Sequence, residues 1–348
     1  MKYNFCTLFD SGFLDRGLSL YKSLDKNMGD FTLYIYAFDK KAYDILVDLN
    51  LNKAVVLYID DIETEQMKAV RMERSRAEYC WTCTPIIIEY SLDTFGLDNC
   101  TYIDADTYFY ANPACLIEEM KSANCDVLIT KHGFPNNREG KITEKKSGKY
   151  CVQFNTFLNT LEARKVLSWW KEQCLLCCTS TPIDGKFGDQ KYLENWVEDF
   201  PRVYESTNFG AGVANWNITR FKMKSMEANH VMITDCETQE DKALIFYHFH
   251  GLKEISGNRI DINVYRNRGK IDDRLVQYIY KTYFAEFTEV RRFLGERYGI
   301  EYPMIRQEVK KKNAEPKSKE SKCLEERWYE IIRMIKARFY RKKDIFSI

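Results

Sequence analysis

Long hydrophobic runs are missing from this sequence. No stretch reaches the roughly 18 consecutive apolar residues that a membrane-spanning helix requires, and the apolar run at residues 3–9 is too short for a signal peptide. These absences argue against an integral membrane protein and against a secreted one. We therefore expect a cytoplasmic protein, either free or held peripherally on the inner face of the cytoplasmic membrane.

Glycine motifs that bind phosphate are also missing. The 16 glycines form neither the P-loop pattern nor the glycine fingerprint of dinucleotide-binding domains. No internal repeat is present, and the chain has only four histidines. P-loop and dinucleotide-binding proteins are therefore disfavoured.

Cysteine is abundant, but its distribution does not suggest a disulfide framework. Twelve cysteines occur in 348 residues, many in apolar or helical surroundings, which favours free thiols in a reducing compartment. Two Cys-x-x-Cys pairs, at 80/83 and 174/177, raise the alternative of a zinc site or a redox dithiol. Because the second pair falls within a predicted apolar helix, we interpret the cysteines mainly as core residues.

The composition predicts one large domain with an appendage. Hydrophobic residues make up 45% of the chain and aromatic residues 14%, which is enough for a substantial core. Charge is unevenly distributed: residues 309–348 contain 13 Lys and Arg against 6 Asp and Glu, a net +7, whereas residues 1–308 carry −6. An anionic partner is therefore expected to bind the C-terminal segment.

Strands and helices alternate in the first half of the chain. Strand patterns occur at residues 3–9, 31–38, 53–59 and 100–103, and helical spacing of apolar residues at 14–24 and 41–49. The segment from Thr82 to Pro85 resembles a helix start with proline in the first turn, and predicts a helix that ends near Gly96. This alternation predicts an α/β fold with a mainly parallel sheet, whose ligand loops lie at the carboxyl ends of its strands.

The second half predicts three further strands (125–130, 150–158 and 243–249), a polar loop (133–149) and two long helices (161–178 and 272–298). We divide the chain into a catalytic domain (1–255), a helical extension (256–303), a charged linker (304–322) and a basic amphipathic helix (323–348). The last helix could bind an anionic membrane surface, bind nucleic acid or pack on the domain. Its apolar residues, among them Trp328 and Phe339, favour the membrane, and no nucleic-acid partner is predicted.

Two aspartates follow the strand at 100–103. At the end of a buried strand, Asp104 and Asp106 would repel each other unless a cation lay between them. Carboxylate oxygens suit Mg²⁺ or Mn²⁺, and both ions bind diphosphates. Asp-x-Asp triplets are also common on protein surfaces, so their context decides; here an apolar strand precedes the triplet and Tyr108-Phe109-Tyr110 follows it.

These residues and several further motifs resemble the GT-A glycosyltransferases. The segments that carry the resemblance are residues 102–110, the Trp-Thr segment at 78–85, Asp189-Gln190 within 184–193, and Trp216-Asn217. They are similar to the glycogenin-like and lipopolysaccharide galactosyltransferase-like group, and most of all to uncharacterised bacterial glycosyltransferases of surface-polysaccharide loci. The resemblance covers residues 3–255 and implies a GT-A fold followed by a helical C-terminal extension.

The resemblance implies a metal-dependent glycosyltransferase of the hexosyltransferase class. Such an enzyme moves a sugar from a nucleotide-diphosphate donor, here a UDP-sugar, to a hydroxyl of a glycan or lipid-linked acceptor in surface polysaccharide synthesis. The alternative is a sugar-nucleotide-binding or nucleotidyltransferase-like protein without glycosyl transfer. Nucleotidyltransferases of this shape begin with a glycine-rich basic loop after the first strand, whereas residues 10–13 read Asp-Ser-Gly-Phe. The transferase is therefore favoured.

The resemblance also implies a metal site of three residues. Asp104 and Asp106 match two ligands, and the third in glycogenin-like enzymes is the histidine of a His-x-x-Gly motif. His248 stands three residues before Gly251, with His250 between them. Because imidazole suits Mn²⁺ better than Mg²⁺, we expect Mn²⁺ first and Mg²⁺ as the alternative.

The donor and the reaction centre are assigned through the same resemblance. Asp189 and Gln190 match an Asp-Gln pair that faces the donor sugar, and Asn155 resembles the Asn of an Asn-x-Gly motif, although Phe157 stands where Gly is usual. These three are the expected catalytic residues. The family's basic residue before the Asp-x-Asp strand is missing; Arg71, Arg74 and Arg76 could replace it, and Arg76 is the expected one. The expected nucleotide-sugar-binding residues are Thr7, Phe9, Asp10, Phe13, Asp39, Arg76, Asp104, Gly210, Asn217 and Lys253.

Overall fold

The computed structural model describes residues 2–227, 230–256, 259–264, 270–302 and 345–347. Its first half alternates strands and helices, as the apolar patterns predict. The elements are β1 Tyr3–Phe9, α1 Leu14–Asn27, β2 Phe31–Ala37, α2 Lys40–Leu49, β3 Ala54–Tyr58, α3 Glu65–Glu73, α4 Arg76–Thr94, β4 Asn99–Ile103, β5 Thr107–Phe109, α5 Ala114–Ser122, β6 Val127–Lys131, α6 Arg138–Ser147 and β7 Tyr150–Leu158.

The second half consists mainly of short strands between two long helices. Its elements are α7 Leu161–Leu176, α8 Trp196–Asp199, β8 Val203–Glu205, β9 Ala211–Ala214, β10 Phe221–Glu227, β11 His230–Asp235, β12 Asp241–Ala243, β13 Phe246–His248, β14 Lys253–Ser256, β15 Arg259–Asp261, α9 Asp273–Tyr298 and β16 Ile345–Ser347.

A seven-stranded sheet forms the centre, in the order β3-β2-β1-β4-β7-β6-β8. Only β7 runs antiparallel to its neighbours, β4 and β6; the remaining pairs are parallel. The sheet is buried on both faces, since Phe5 and Phe9 belong to one apolar cluster and Cys6 and Leu8 to another. The predicted mainly parallel α/β fold, with helices flanking the sheet, is confirmed.

Three smaller sheets extend this core. The strands β5, β13 and β9 form one of them, and α9 covers it with a third apolar cluster that includes Tyr247, Phe249, Tyr280 and Tyr283. The helix is also joined to α1 by an ion pair in which Arg291 lies 2.6 Å from the fully buried Asp15. The helical extension therefore packs directly on the domain that carries the sheet.

Helix α4 begins earlier than the sequence predicts. Its start is a capping box in which Ser75 and Glu78 satisfy each other's backbone N–H groups, so Pro85 lies inside the helix and not in its first turn. Proline within a helix removes one backbone hydrogen bond. Here α4 packs against α7, β1 and β4, and this tertiary contact outweighs the local signal at Pro85.

The segment predicted as a polar loop at 133–149 contains α6. Asn137 caps this helix by accepting a hydrogen bond from the backbone N–H of Gly140. The helix is polar almost throughout, so it has too few apolar residues for a periodic pattern. Its N-cap was the only local signal, and the interpretation of this segment as a loop was wrong.

The C-terminal predictions fall largely outside the described residues. This applies to the linker at 304–322 and to residues 323–344 of the amphipathic helix. The end of that helix was wrongly predicted, because Ile345–Ser347 forms β16, which pairs with β15. Phe346 packs against Tyr280 and Phe284. Within the described part of the chain, no helix is both long and apolar enough to span a bilayer, and the eleven described cysteines are free thiols.

Candidate active site

A cavity of about 770 Å³ opens beside the carboxyl ends of β1 and β4. The sheet continues from β1 through β2 to β3, and from β4 on the other side through β7 and β6 to β8. The two strands therefore meet at a topological switch point, where ligands of open α/β sheets bind. One end of the cavity is lined by Asp10, Phe13, Arg76 and Trp81, and its middle by Asp104, Asp106, Asp189 and His248. The opposite end is lined by His132, Phe134, Thr143, Ser147, Trp216 and Asn263.

The Asp-Ala-Asp turn meets a histidine from a distant strand. Strand β13 pairs with β5 so that His248 lies opposite Thr107, immediately after the turn. The Nε2 atom of His248 is 3.0 Å from an oxygen of Asp106 and 3.6 Å from an oxygen of Asp104. The predicted metal ligands are therefore brought together.

Gln153, from β7, orients this histidine. Its Oε1 atom lies 3.0 Å from Nδ1 of His248, and because an amide oxygen only accepts, Nδ1 carries the proton. Without a metal Nε2 carries a proton as well and faces Asp106, because, although burial lowers the pKa of His248, the charge of Asp106 raises it well above its ordinary value. A cation that displaces this proton would bind Nε2 on the side of the two carboxylates. Metal-binding histidines usually have such a partner on the other ring nitrogen.

His250 adds a further donor to this cluster. Ligand atoms of Asp106, His248 and His250 all lie within 4.8 Å of one another. Trp216 packs edge-on against both histidine rings, at 5.2 Å and 5.7 Å between ring centroids. A set of carboxylate oxygens and imidazole nitrogens fits a divalent cation such as Mn²⁺.

The pKa values of Asp104 and Asp106 also indicate that a positive charge is needed beside them. Burial raises the pKa of Asp104 to about 6; the charge of His248 opposes this rise and the charge of Asp106 adds to it. Burial alone would also raise the pKa of Asp106, but the charge of His248 outweighs it and holds that pKa below its ordinary value. Two partly buried carboxylates side by side thus need a positive charge beside them, which a bound cation would supply.

Asp189 lies in the same cavity and is almost fully buried. Burial, followed by the charge of Asp104, raises the pKa of its carboxyl to about 8. Its neighbour Gln190 donates a hydrogen bond of 2.7 Å to the backbone carbonyl of Ser147, at the end of α6. A cation at Asp104 and Asp106 would lower the pKa of Asp189 again, so its charge is linked to the metal site.

The loop after β1 meets α4 at one end of the cavity. The guanidinium of Arg76 lies 2.7 Å from Asp10 and 3.3 Å from Asp39. Asp10, Arg76 and Phe13 line the cavity together with Phe9, and their role in donor binding stays a prediction. Asp39 is not on the lining. It caps α2 through the backbone N–H of Ala42 and accepts hydrogen bonds from Ser11, so its contacts hold the loop in place.

Four other predicted binding residues are also absent from the lining of the cavity. Thr7 is buried within β1, and Lys253 is exposed on β14. A Cβ atom on Gly210 would lie 1.9 Å from the backbone oxygen of Ala243, so this glycine permits close packing. Asn217 donates hydrogen bonds to the backbone oxygens of His132 and Gly212, so it holds the backbone of a lining residue in place without lining the cavity itself.

Asn155 is fully buried in β7 beside Tyr102 and is not on the lining. Neither its amide nitrogen nor its amide oxygen has a hydrogen-bond partner within the described residues. Buried polar groups normally have partners. Its role as a ligand contact stays a prediction.

Sequence reasoning missed Gln153, His132, Phe134 and a role for Trp81 in the cavity. The sequence did hold a signal for Gln153, because this residue stands two positions before Asn155 on a buried strand. Side chains two positions apart on a strand point to the same face of the sheet. His132 is one of only four histidines, and three of the four line the cavity. Phe134 fell in a segment interpreted as a loop.

The site completes the description of the fold. The chain is an α/β protein with a mainly parallel sheet, in which β4 is followed by an Asp-x-Asp turn that faces a histidine of β13. This is the arrangement that the resemblance to GT-A glycosyltransferases implies. The chain belongs to the same family as the uncharacterized protein YfnF of Bacillus subtilis (strain 168). The two are 31% identical over 261 residues, which is 74% of this chain and 84% of the relative.

Further comparisons extend this finding. The uncharacterized protein YfnD of Bacillus subtilis (strain 168) is 25% identical over 298 residues, which cover 84% of this chain and 90% of that protein. No protein-family model matches the chain.

Similar solved structures include three glycosyltransferases of low sequence identity. The galactosyltransferase LgtC, in complex with donor and acceptor sugar analogs, is 13% identical, with a TM-score of 0.47 over 71% of this chain and 87% of that one. GlyE of Streptococcus pneumoniae TIGR4 is 10% identical, with a TM-score of 0.47 over 88% and 66%. Mouse xyloside xylosyltransferase 1, in its apo form, is 11% identical, with a TM-score of 0.42 over 62% and 87%.

Proposed function

We propose that this protein is a metal-dependent glycosyltransferase. It transfers a sugar from a nucleotide-diphosphate donor to a hydroxyl of an acceptor in surface polysaccharide synthesis. The donor that we expect is a UDP-sugar. The observation that carries the proposal is the position of His248, whose Nε2 atom lies 3.0 Å from Asp106 and 3.6 Å from Asp104 while Gln153 holds its Nδ1 atom. An arrangement for structural purposes alone would not need two carboxylates, both in the cavity, opposite one imidazole.

The ligand set supports Mn²⁺ as the cofactor, with Mg²⁺ as the alternative. Asp104, Asp106 and His248 would hold the ion, with His250 close enough to join them. Imidazole nitrogen is a better donor for Mn²⁺ than for Mg²⁺. When bound, such an ion neutralises the charge that develops on a departing nucleoside diphosphate.

The donor fits between the metal ligands and the loop after β1. Arg76 places a guanidinium on that part of the wall, and more than half of its side chain is exposed. Asp10, Phe9 and Phe13 surround the same space. The diphosphate would lie towards Asp104 and Asp106, with the nucleoside near Asp10.

Asp189 is proposed to act at the reaction centre. Its carboxyl lines the middle of the cavity near Asp104 and can bind donor sugar hydroxyls or accept the proton of the acceptor hydroxyl. Gln190, fixed through Ser147, is its neighbour. Asn155 remains in the proposal only through the resemblance, because its fully buried side chain does not line the cavity.

A thermal-shift screen of UDP- and GDP-sugars, with and without Mn²⁺, tests the proposal. We expect stabilisation by a UDP-sugar only when Mn²⁺ is present. The Asp106→Asn variant should lose it, whereas Asp241→Asn, on the distant strand β12, should keep it. If no nucleotide sugar stabilises the native chain, or if Asp106→Asn responds equally, the proposal is wrong. Release of UDP during transfer to an acceptor would then separate a transferase from a protein that only binds nucleotide sugars.

Two further parts of the proposal concern the location of the enzyme. A glycan or lipid-linked acceptor would be met at the inner face of the cytoplasmic membrane. The basic segment at 323–348 is proposed to bind the anionic surface there, and its residues 323–344 lie outside the described structure. Liposome flotation of the full chain and of a chain truncated before Lys317 tests this, because unchanged flotation of the truncated chain would contradict it.

A further inference from the structure

The cavity continues past the metal ligands to a second end, which the donor proposed above does not occupy. We name this the aromatic end and define it by His132, Phe134, Thr143, Ser147, Trp216 and Asn263. His132 and Phe134 follow β6, which is three strands along the sheet from β1, the strand that leads into Asp10. A transferase needs a second substrate at the aromatic end, with its hydroxyl close to Asp189.

The rings of the aromatic end are held in fixed positions. Phe134 stacks on His132 at 4.8 Å between centroids and an interplanar angle of 16°. Trp216 packs edge-on against the same histidine at 5.3 Å, and its Nε1–H donates a 2.8 Å hydrogen bond to the backbone oxygen of His132. Trp216 and Phe134 are only half-buried. Rigid, partly exposed aromatic side chains supply contact area at a low entropic cost.

Charge distinguishes the two ends of the cavity. Among the described lining residues, the aromatic end has no lysine, arginine, aspartate or glutamate, whereas the donor end has Arg76 and Asp10. His132 is neutral at physiological pH, because burial lowers its pKa to about 3. An anionic group at this end would therefore find no cation to pair with among the described lining residues.

The remaining lining residues offer neutral hydrogen-bonding groups. Thr143 and Ser147 come from α6, and Asn263 follows β15. Hydroxyl and amide groups can both donate and accept hydrogen bonds. Together with aromatic surface, they match a ligand that has one apolar face and a rim of hydroxyls, which is the chemistry of a pyranose ring.

We propose that the aromatic end is the acceptor subsite, and that it binds a neutral pyranose ring of a glycan packed against Trp216 and Phe134. The inference rests on the proposed transferase function for the role of this sugar as acceptor. It narrows the acceptor class, because the terminal sugar of a glycan fits this surface and a lipid phosphate does not.

Direct sugar binding, measured without donor or metal, tests the inference. Saturation-transfer NMR titrations of the full chain with methyl glucoside, galactoside and mannoside should show binding of at least one. A hexose 1-phosphate and a polyprenyl phosphate in detergent form the anionic comparison and should not bind at this end. Absence of binding by every neutral pyranoside, or binding of the anionic probes that depends on Trp216, would overturn it.

Paired variants isolate the contribution of the ring. Both Trp216→Phe and Trp216→Ala lose the hydrogen bond to His132, so only the aromatic surface differs between them. We expect pyranoside affinity within about threefold of the native value for Trp216→Phe, and at least about tenfold weaker for Trp216→Ala. Phe134→Leu, which keeps apolar volume, should also weaken binding. Trp169→Phe, on α7 outside the cavity, is the control. Equal affinity of the phenylalanine and alanine variants at position 216 would contradict the inference.

The outcome is distinguishable from failure of the proposed function. If pyranosides bind through Trp216 but no UDP-sugar binds with Mn²⁺, the transferase proposal fails and a carbohydrate site remains. If the donor binds with Mn²⁺ but no pyranoside does, only the acceptor inference fails.

Discussion

The Nδ1 atom of His248 lies 3.0 Å from the Oε1 atom of Gln153, and this contact determines which ring nitrogen faces Asp104 and Asp106. The Nε2 atom of Gln153 in turn lies 3.5 Å from the hydroxyl oxygen of Thr130, which favours the amide orientation with its oxygen towards the histidine. A residue without charge thus determines the tautomer of a predicted metal ligand. The first two predictions concern this contact.

Replacement of Gln153 by Leu should weaken Mn²⁺ binding by about 10–100-fold. The side chain keeps its approximate volume, but His248 loses the acceptor that holds its ring. Isothermal titration calorimetry with Mn²⁺ measures the change. Gln66→Leu, an exposed substitution on α3, is the matched control, and equal affinities for the two variants would rule out the orienting role of Gln153.

Replacement of Gly212 by Ala should have a similar effect through Gln153. The new Cβ atom would lie 2.3 Å from Nε2 of Gln153, and the φ angle of +100° is one that side-chain-bearing residues rarely adopt. We expect weaker Mn²⁺ binding and a lower melting temperature. Gly29→Ala, where a Cβ atom meets nothing within 4 Å, should leave Mn²⁺ binding unchanged. Native Mn²⁺ affinity in Gly212→Ala would refute this prediction.

Replacement of Asp189 by Asn should reduce kcat by about 10²–10⁴-fold, the usual contribution of a general acid or base. Donor and metal should still bind, because Asp104, Asp106 and His248 remain. Single-turnover kinetics with the donor found in the thermal-shift screen measure the step, and calorimetry measures donor binding. A variant with native kcat would remove Asp189 from the reaction centre.

Acidification should destabilise the fold through His132. Burial lowers the pKa of His132 from the ordinary 6.5 to about 3. Between these two values the unfolded chain binds one more proton than the folded chain, so the free energy of unfolding falls as pH decreases, by up to ~1.4 kcal/mol per pH unit. This contribution is fully present above pH 6.5 and is lost progressively towards pH 3.

The variant His132→Gln should lack this contribution. Urea unfolding at pH 7, 6 and 5, in EDTA for both proteins, compares the two slopes under metal-free conditions. We expect the variant to lose less stability than the native chain on acidification. Parallel pH dependences would show that His132 does not titrate in this way.

Replacement of Asp15 by Asn should destabilise the chain by about 3–5 kcal/mol, because it removes the buried carboxylate that Arg16 and Arg291 share. Asp15 is fully buried, and Arg291 lies 2.6 Å away on α9. Urea unfolding measures the loss. The control is Asp25→Asn. Asp25 also lies on α1 and forms an exposed ion pair with Lys53, so its loss should lower the free energy of unfolding by less than about 1 kcal/mol. Equal losses for both would contradict a structural role for the α1–α9 pair.

Much of the central sheet followed from local sequence patterns. The apolar runs at β1, β4 and β7 were predicted to within one residue at each end, because strands buried on both faces are almost continuously apolar. The start of α4 was wrong, since the Pro85 signal is local and the packing of the helix is not. Helix α6 was missed because a polar helix has little periodicity to detect.

The residues of the candidate site also differ in how far the sequence alone could reveal them. Asp104 and Asp106 are neighbours in the chain, and the motif around them was readable from the sequence. The sequence also indicated His248 and Asp189, but only through resemblance, because nothing in their local surroundings shows that they meet the aspartates. Asp39, Gly210 and Asn217 were grouped with the donor-binding residues, yet their contacts in the structure hold loops and strands around the cavity.

The amino-acid sequence by itself determined the order of strands and helices and the position of the Asp-Ala-Asp turn after β4, since apolar periodicity and neighbouring carboxylates are local properties. Tertiary structure alone decided that β13 pairs with β5, that Gln153 holds His248, and that Trp216 meets His132. These contacts join residues far apart in the chain. Their geometry depends on how the whole sheet packs, and no local pattern encodes it.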